Sequence, residues 1–209
     1  FDLAGGVVKI WRYNRSIQPD GQIGVDLNRN YDDHWQPFRY VDRGRVNLPG
    51  LRPFSEPETD ALRQLAEKLP RLTALLDLHQ YGRVVLLPYA YAKKPLPNDF
   101  EDLYYKIGQY LIEANRYRTF PAHRLYPHQG TLGDWGFSRF KALSLVLEIG
   151  SASYLKPTLQ AYITRQDLKL IDRFLSIADA PFQKIRSIPL PPPDPRLVRR
   201  TTYTKPTAQ

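Results

Sequence analysis

Three apolar runs of strand length set the terms for this chain: Leu72–Leu78, Val84–Tyr89 and Ala142–Ile149. Each is apolar on both alternating faces, as expected of strands buried from both sides. Between and around them lie stretches with helical periodicity. Ser55-Glu56-Pro57-Glu58 opens one to about Leu69, with Ser55 as cap, Glu58 three residues on and Pro57 in the first turn. Asn98, with Glu101 at capping-box spacing, opens a second to about Asn115, with Leu103, Ile107, Tyr110 and Leu111 on one face. Thr131–Phe140 reads as a short helix, Thr158–Ile177 as a long one, and Ile23–Val25 as a short strand. Arg118–Gln129 reads as a loop. Strands alternating with helices imply an α/β fold with a mixed, largely parallel twisted sheet flanked by helices.

Composition narrows the chemistry. The 209 residues include no Cys, which excludes disulfides, thiolate metal ligands and a Cys nucleophile. There is no Met either, even at position 1, and no charged-then-apolar leader; Phe1 reads as the middle of a domain. No apolar run approaches membrane-spanning length. The net charge is +9, of which +5 belongs to Pro181–Gln209, a segment with seven prolines. Residues 181–209 therefore read as a basic, extended tail, and residues 1–180 as the folded body. The tail suits a solvated linker or an electrostatic contact with an anionic surface. The body has no basic stripe or motif for nucleic acid.

Ligands of open α/β sheets gather at the carboxyl ends of the strands, and polar residues stand at such ends here. Asn28-Arg29 follows Ile23–Val25; on its own the pair fits a surface turn or a carboxylate clamp built on the planar Arg fork. His79 ends Leu72–Leu78 and suits a metal ligand, an acid/base group or a structural contact, with Asp77 two residues before it. Glu148 sits near the end of an apolar strand, where a carboxylate needs a cationic partner or a raised pKa. Arg12 and Tyr126 are ordinary until placed in context.

Taken together, Trp11-Arg12, Gly24-Val25-Asp26-Leu27-Asn28-Arg29-Asn30, Pro53-Phe54-Ser55-Glu56-Pro57-Glu58-Thr59, Leu78-His79-Gln80-Tyr81-Gly82, Leu86-Leu87-Pro88-Tyr89, Tyr126 with Gly130 and Asp134-Trp135, and Leu147-Glu148 resemble the zinc metallocarboxypeptidases of the M14 family. The resemblance runs from about Lys9 to Ile177. It implies that His79 is the last of three zinc ligands and that Arg12 polarises the scissile carbonyl. Asn28, Arg29 and Tyr126 would grip the substrate's terminal carboxylate, and Glu148 would be general base and then acid. Tyr81 would line the subsite before the scissile bond. Ala90, Leu125, Thr131, Gly133 and Val146 would surround the terminal side chain; none is acidic, so a neutral or apolar terminal residue is expected.

One departure matters. The family's first two zinc ligands lie in an H-x-x-E motif upstream of the Trp-Arg, and none of His34, His79, His123 and His128 is followed by Glu at +3. The expectation is the C-terminal portion of a longer enzyme, itself inactive for lack of two zinc ligands. That enzyme would be a monomer, secreted or periplasmic, acting on peptide or protein C-termini. The alternatives are a non-catalytic module that binds C-terminal carboxylates and a hydrolase of peptidoglycan stem peptides on the same fold.

Overall fold

The computed structural model describes residues 12–37, 41–42, 45–97, 99–113, 115, 117–150 and 157–187. Phe1–Trp11, Asn98 and the chain beyond Ser187 lie outside the described residues, so the capping role expected of Asn98 does too. The elements in order are β1 (Val41–Asp42), β2 (Arg45–Val46), α1 (Pro57–Lys68), β3 (Ala74–Gln80), β4 (Val84–Leu87), α2 (Phe100–Ile112), β5 (Arg118–Pro121), α3 (Leu132–Phe140), β6 (Leu143–Ile149), α4 (Pro157–Ile177) and α5 (Pro181–Ser187).

Four strands make one mixed sheet in the order β3-β6-β4-β5. β3 runs parallel to β6 and β4 parallel to β5, while β4 and β6 are antiparallel. β6 is central, and its alternation divides the molecule. Leu143, Leu145 and Leu147 join Ile107 and Leu111 of α2 and Leu170 and Phe174 of α4 in the main core. Val146 faces the other way, into a smaller cluster with Val84, Leu86, Ala90 and Ala122. β4 is buried along all four residues, with Val85 and Leu87 in one cluster and Val84 and Leu86 in the other, as its unbroken apolar run requires.

Several expectations are corrected. Ile23–Val25 is no strand; its one β contact is an isolated bridge between Ile17 and Ile23, because Asp26 instead caps a 3₁₀ turn, Leu27–Arg29, by accepting from the Asn28 N–H. The stretch Arg118–Gln129 contains β5 and a 3₁₀ turn, Ala122–Arg124. Ser55 does not cap α1: Glu56 is the N-cap residue, without a side-chain cap bond, and the Ser55 hydroxyl donates to Glu56 Oε1 (2.6 Å). β3 is not buried on both faces. It is the edge strand, with Leu78 52% exposed, because β6 flanks it on one side only among the described residues.

The boundary at Pro181 also moves. Pro181–Ser187 is a helix, with Pro181 and Ile185 buried and Phe182 edge-on to Phe100 at 5.0 Å. The proline fits the first helical position and the apolar residues that follow reach the core, so this stretch docks where composition alone suggested an extended chain.

Candidate active site

The carboxyl end of β3 and the end of β6 lie side by side, with His79 and Glu148 as cross-strand partners. They open on a cavity of about 330 Å³. Arg12, Asn28, Arg29, His79, Tyr81, Tyr126 and Glu148, the seven residues singled out in the sequence, all border it. Ala90, Leu125, Thr131, Gly133 and Val146 line it as well. No helix among the described residues is long and apolar enough to cross a membrane.

The clamp is held from several directions. Arg29 donates through Nη1 to the Asn28 carbonyl (2.5 Å) and through Nη2 to the Tyr126 hydroxyl (3.0 Å), with its guanidinium 5.9 Å from the Tyr126 ring. The two loops meet at Gly130. Its φ is +66°, and a Cβ there would stand 2.3 Å from the Arg29 carbonyl oxygen, so only glycine fits. Asn30 anchors the turn. It is fully buried; its amide donates to the carbonyls of Pro49 (2.7 Å) and Arg52 (3.0 Å), and its oxygen accepts from Thr59 Oγ1 (2.6 Å). The sequence reading missed this role, because these three partners are contributed by distant loops and by α1.

Asn28 is shared between structure and site. Its Oδ1 accepts from the Leu132 N–H (2.8 Å) and its Nδ2 donates to Asp77 Oδ2 (3.1 Å). The same Asp77 oxygen lies 2.8 Å from His79 Nε2, which is also 2.9 Å from Asn28 Nδ2. One ring nitrogen cannot both donate to Asp77 and accept from Asn28. A protonated Nε2 donating to Asp77 leaves the second Asn28 hydrogen for a ligand and leaves Nδ1 of His79 as a donor atom. Burial opposes the charged imidazolium, but the Asp77 hydrogen bond and the charges of Asp77, Glu148 and Asp26 together raise the His79 pKa above its ordinary value. A carboxylate orienting an imidazole is the usual arrangement behind a metal-ligating His. The described residues nevertheless hold no group of three or more His, Cys, Asp or Glu able to take a metal ion. Their donor set fits one zinc ligand and not a complete site.

Two further residues at the cavity had no stated role. Asp134 is 2% exposed, and its carboxylate accepts from the Ala90 N–H through both oxygens (2.8 and 3.0 Å) and from the Tyr91 N–H (3.3 Å). It ties the pocket wall at Ala90 to the first turn of α3, where Thr131 Oγ1 accepts from the Asp134 N–H (3.1 Å). Burial pushes its pKa up to about 7, the Ala90 N–H pulling the other way. Asp134 adds an acid beside the five uncharged residues expected around the terminal side chain, but its carboxylate is engaged by backbone donors. The His128 ring lies against that of Tyr126, tilted by 34° with centroids 4.6 Å apart, and its Nδ1 lies 2.7 Å from the Tyr126 carbonyl. Burial, then the charge of Arg29, pushes its pKa down to about 3, so it is neutral near pH 7.

The fold has counterparts of known structure. It aligns with bovine thrombin-activatable fibrinolysis inhibitor in complex with tick carboxypeptidase inhibitor at a TM-score of 0.69 and 24% identity, over 81% of this chain and 62% of that one. It aligns with carboxypeptidase A from Helicoverpa armigera at 0.64 and 22% identity, over 85% and 47%. At these identities the likeness is one of fold: an open mixed α/β sheet flanked by helices. Membership is decided by sequence. Residues 3–168 match the Peptidase_M14 model, described as zinc carboxypeptidase, and the chain belongs to that family. Among individual relatives, carboxypeptidase O of Bos taurus is 29% identical over 189 residues, 84% of this chain and 49% of that protein. Mast cell carboxypeptidase A of Rattus norvegicus is 29% identical over 181 residues, 80% and 43%. The chain thus spans about half the length of the curated relatives it matches.

Proposed function

We propose that the chain carries the substrate-binding and acid/base part of a zinc-dependent carboxypeptidase that hydrolyses the C-terminal peptide bond of peptides or proteins. The observation that carries this is the gathering of Arg29 with Tyr126, Arg12, Glu148 and the His79–Asp77 pair around one cavity, from segments far apart in the chain. Arg29, Tyr126 and Asn28 hold the free carboxylate by charge-assisted hydrogen bonds. Arg12 faces the scissile carbonyl and stabilises the negative charge that develops on its oxygen. Glu148 accepts a proton from the attacking water and returns it to the leaving amine. His79 is one zinc ligand, with the others supplied from outside the described residues; zinc, when bound, lowers the pKa of water and polarises the carbonyl. The parent protein is a monomer acting outside the cytoplasm.

The parent protein should release C-terminal residues from peptides, stop when chelated, and lose at least about a thousandfold in kcat in Glu148→Gln. Undiminished hydrolysis by Glu148→Gln would remove Glu148 from the chemistry. Amidated peptides should be poor substrates; equal turnover would exclude an exopeptidase. A second reading, a module that binds C-terminal carboxylates without hydrolysis, is favoured by the Arg29–Tyr126 pair, which needs no metal to hold a carboxylate. Binding of free but not amidated C-termini, with no hydrolysis by the parent at saturating zinc, would select it.

A further inference from the structure

Arg12 and Arg29, the two guanidinium groups given roles above, sit on the two arms of one loop, and the arms meet at a neck. The Asn14 N–H donates to the Val25 carbonyl (3.1 Å), while Asn14 Oδ1 accepts from the N–H groups of Val25 (2.8 Å) and Ser16 (3.2 Å). The Ser16 carbonyl accepts from the Gly24 N–H (2.7 Å). Arg12 lies two residues before this neck, and the 3₁₀ turn that carries Arg29 begins two residues after it.

One carboxylate is bonded both to the neck and to the anchor of the turn. Glu56 Oε2 accepts from Asn14 Nδ2 (2.6 Å), and Oε1 accepts from the Ser55 hydroxyl (2.6 Å). Ser55 Oγ accepts in turn from Asn30 Nδ2 (3.0 Å), and Asn30 Oδ1 accepts from the Glu56 N–H (3.3 Å). Gly50 closes over the group: its φ is +81°, and a Cβ there would stand 2.6 Å from Asn30 Nδ2. Glu56 is 3% exposed, and among the described residues no cation pairs with it. A buried carboxylate without a cation is costly. Helix capping does not account for it, because its side chain makes no cap bond to α1, although the positive end of the helix offsets part of the cost. What the charge does supply is two short charge-assisted hydrogen bonds, stronger than a neutral amide would accept.

We propose that Glu56 is a positioning residue for the carboxylate clamp: by joining Asn14 to Asn30 it fixes the Arg29 turn against the arm that carries Arg12. This rests on the carboxypeptidase reading above. Glu56 is not among the residues that border the cavity, so it acts through Asn14, Ser55 and Asn30 and touches no substrate. A substrate must meet Arg29 with its carboxylate and Arg12 with its carbonyl at once, so a shift of either arm loosens the grip.

The test is equilibrium binding of acetyl-Ala-Ala-Leu and of its amide by the 209-residue chain, well below the melting temperature of each variant. Asn14→Asp keeps an oxygen for the Val25 N–H but turns a second carboxylate on Glu56. It is measured at about pH 8, which disfavours a proton shared between the two. It should bind the free acid about tenfold more weakly and leave the amide unchanged. Asn14→Asp combined with Glu56→Gln reverses donor and acceptor in the broken bond and should bring the acid back to within about twofold of the unaltered chain. Glu56→Gln alone keeps the volume without the charge and should weaken the acid about threefold, so the assignment stays testable if Asn14→Asp does not fold. A lowered melting temperature with an unchanged acid-to-amide ratio in the variants that fold, or a reversed pair as weak as Asn14→Asp, would overturn the assignment and leave the clamp standing. Binding of the amide as tightly as the free acid by the unaltered chain would instead overturn the clamp, and the assignment with it.

Discussion

Asp134 and His128 border the same cavity and titrate in opposite senses. Asp134 has a folded pKa of about 7, above the ordinary Asp value, so the folded state holds a proton that the unfolded state releases. Its contribution to stability is therefore present at low pH and is lost as pH rises from about 4 to about 7. His128, at about 3 when folded, does the reverse: its contribution is present above about 6.5 and is lost on acidification. The two offset each other in the native chain. Asp134→Asn should make the melting temperature fall more steeply on acidification, and His128→Gln should make it fall as pH rises from 4 to 7. Identical pH slopes in all three proteins would mean that neither group is shielded as the geometry requires.

The loops that form the clamp depend on their tightest contact. Gly130 combines a positive φ with a backbone approach that leaves no room for a methyl group, and its N–H and carbonyl bond Asp33 and Tyr31 (3.0 Å each). Gly130→Ala should destabilise the fold by ~2 kcal/mol or more and weaken peptide binding through displacement of Arg29 from Tyr126. Denaturant unfolding and peptide titration together check this; unchanged binding would show that the two loops are positioned independently. α5 makes an analogous point about packing. Phe182 meets Phe100 and Tyr104, so Phe182→Ala should cost about 3 kcal/mol in unfolding experiments if the helix is part of the cooperative unit. A loss within ~0.5 kcal/mol would mark α5 as a loosely docked appendage.

Across the molecule, the sheet has two unlike edges. β5 carries Arg118 and ends at Pro121, features that discourage further pairing. β3 presents Ala74-Leu75-Leu76-Asp77-Leu78 with half-exposed residues and, among the described residues, pairs only with β6. The 209-residue chain should therefore self-associate through β3 at micromolar concentration, and Leu78→Lys should reduce this. Light scattering over a dilution series checks it, and a chain that stays monomeric would show that the edge is covered. His79 and Asp77 belong to the same strand, so association there would also perturb the cavity.

The three long apolar runs, the helix periodicities, the first-turn place of Pro57 and the residues that border the cavity were readable from the amino-acid order, whereas the Ile23–Val25 strand and the Ser55 cap were not. Backbone periodicity and capping are short-range effects, written into neighbours two to four residues apart. What the tertiary structure alone decided was the sheet order, the edge position of β3, the docking of α5 and the hydrogen-bond partners of Asn30, Asp77, Asp134 and His128. Those rest on hydrogen bonds and register between residues tens of positions apart, such as the bond from Leu132 to Asn28. No local pattern encodes such partners, because they are chosen by which backbone groups are left unpaired when the strands close against one another.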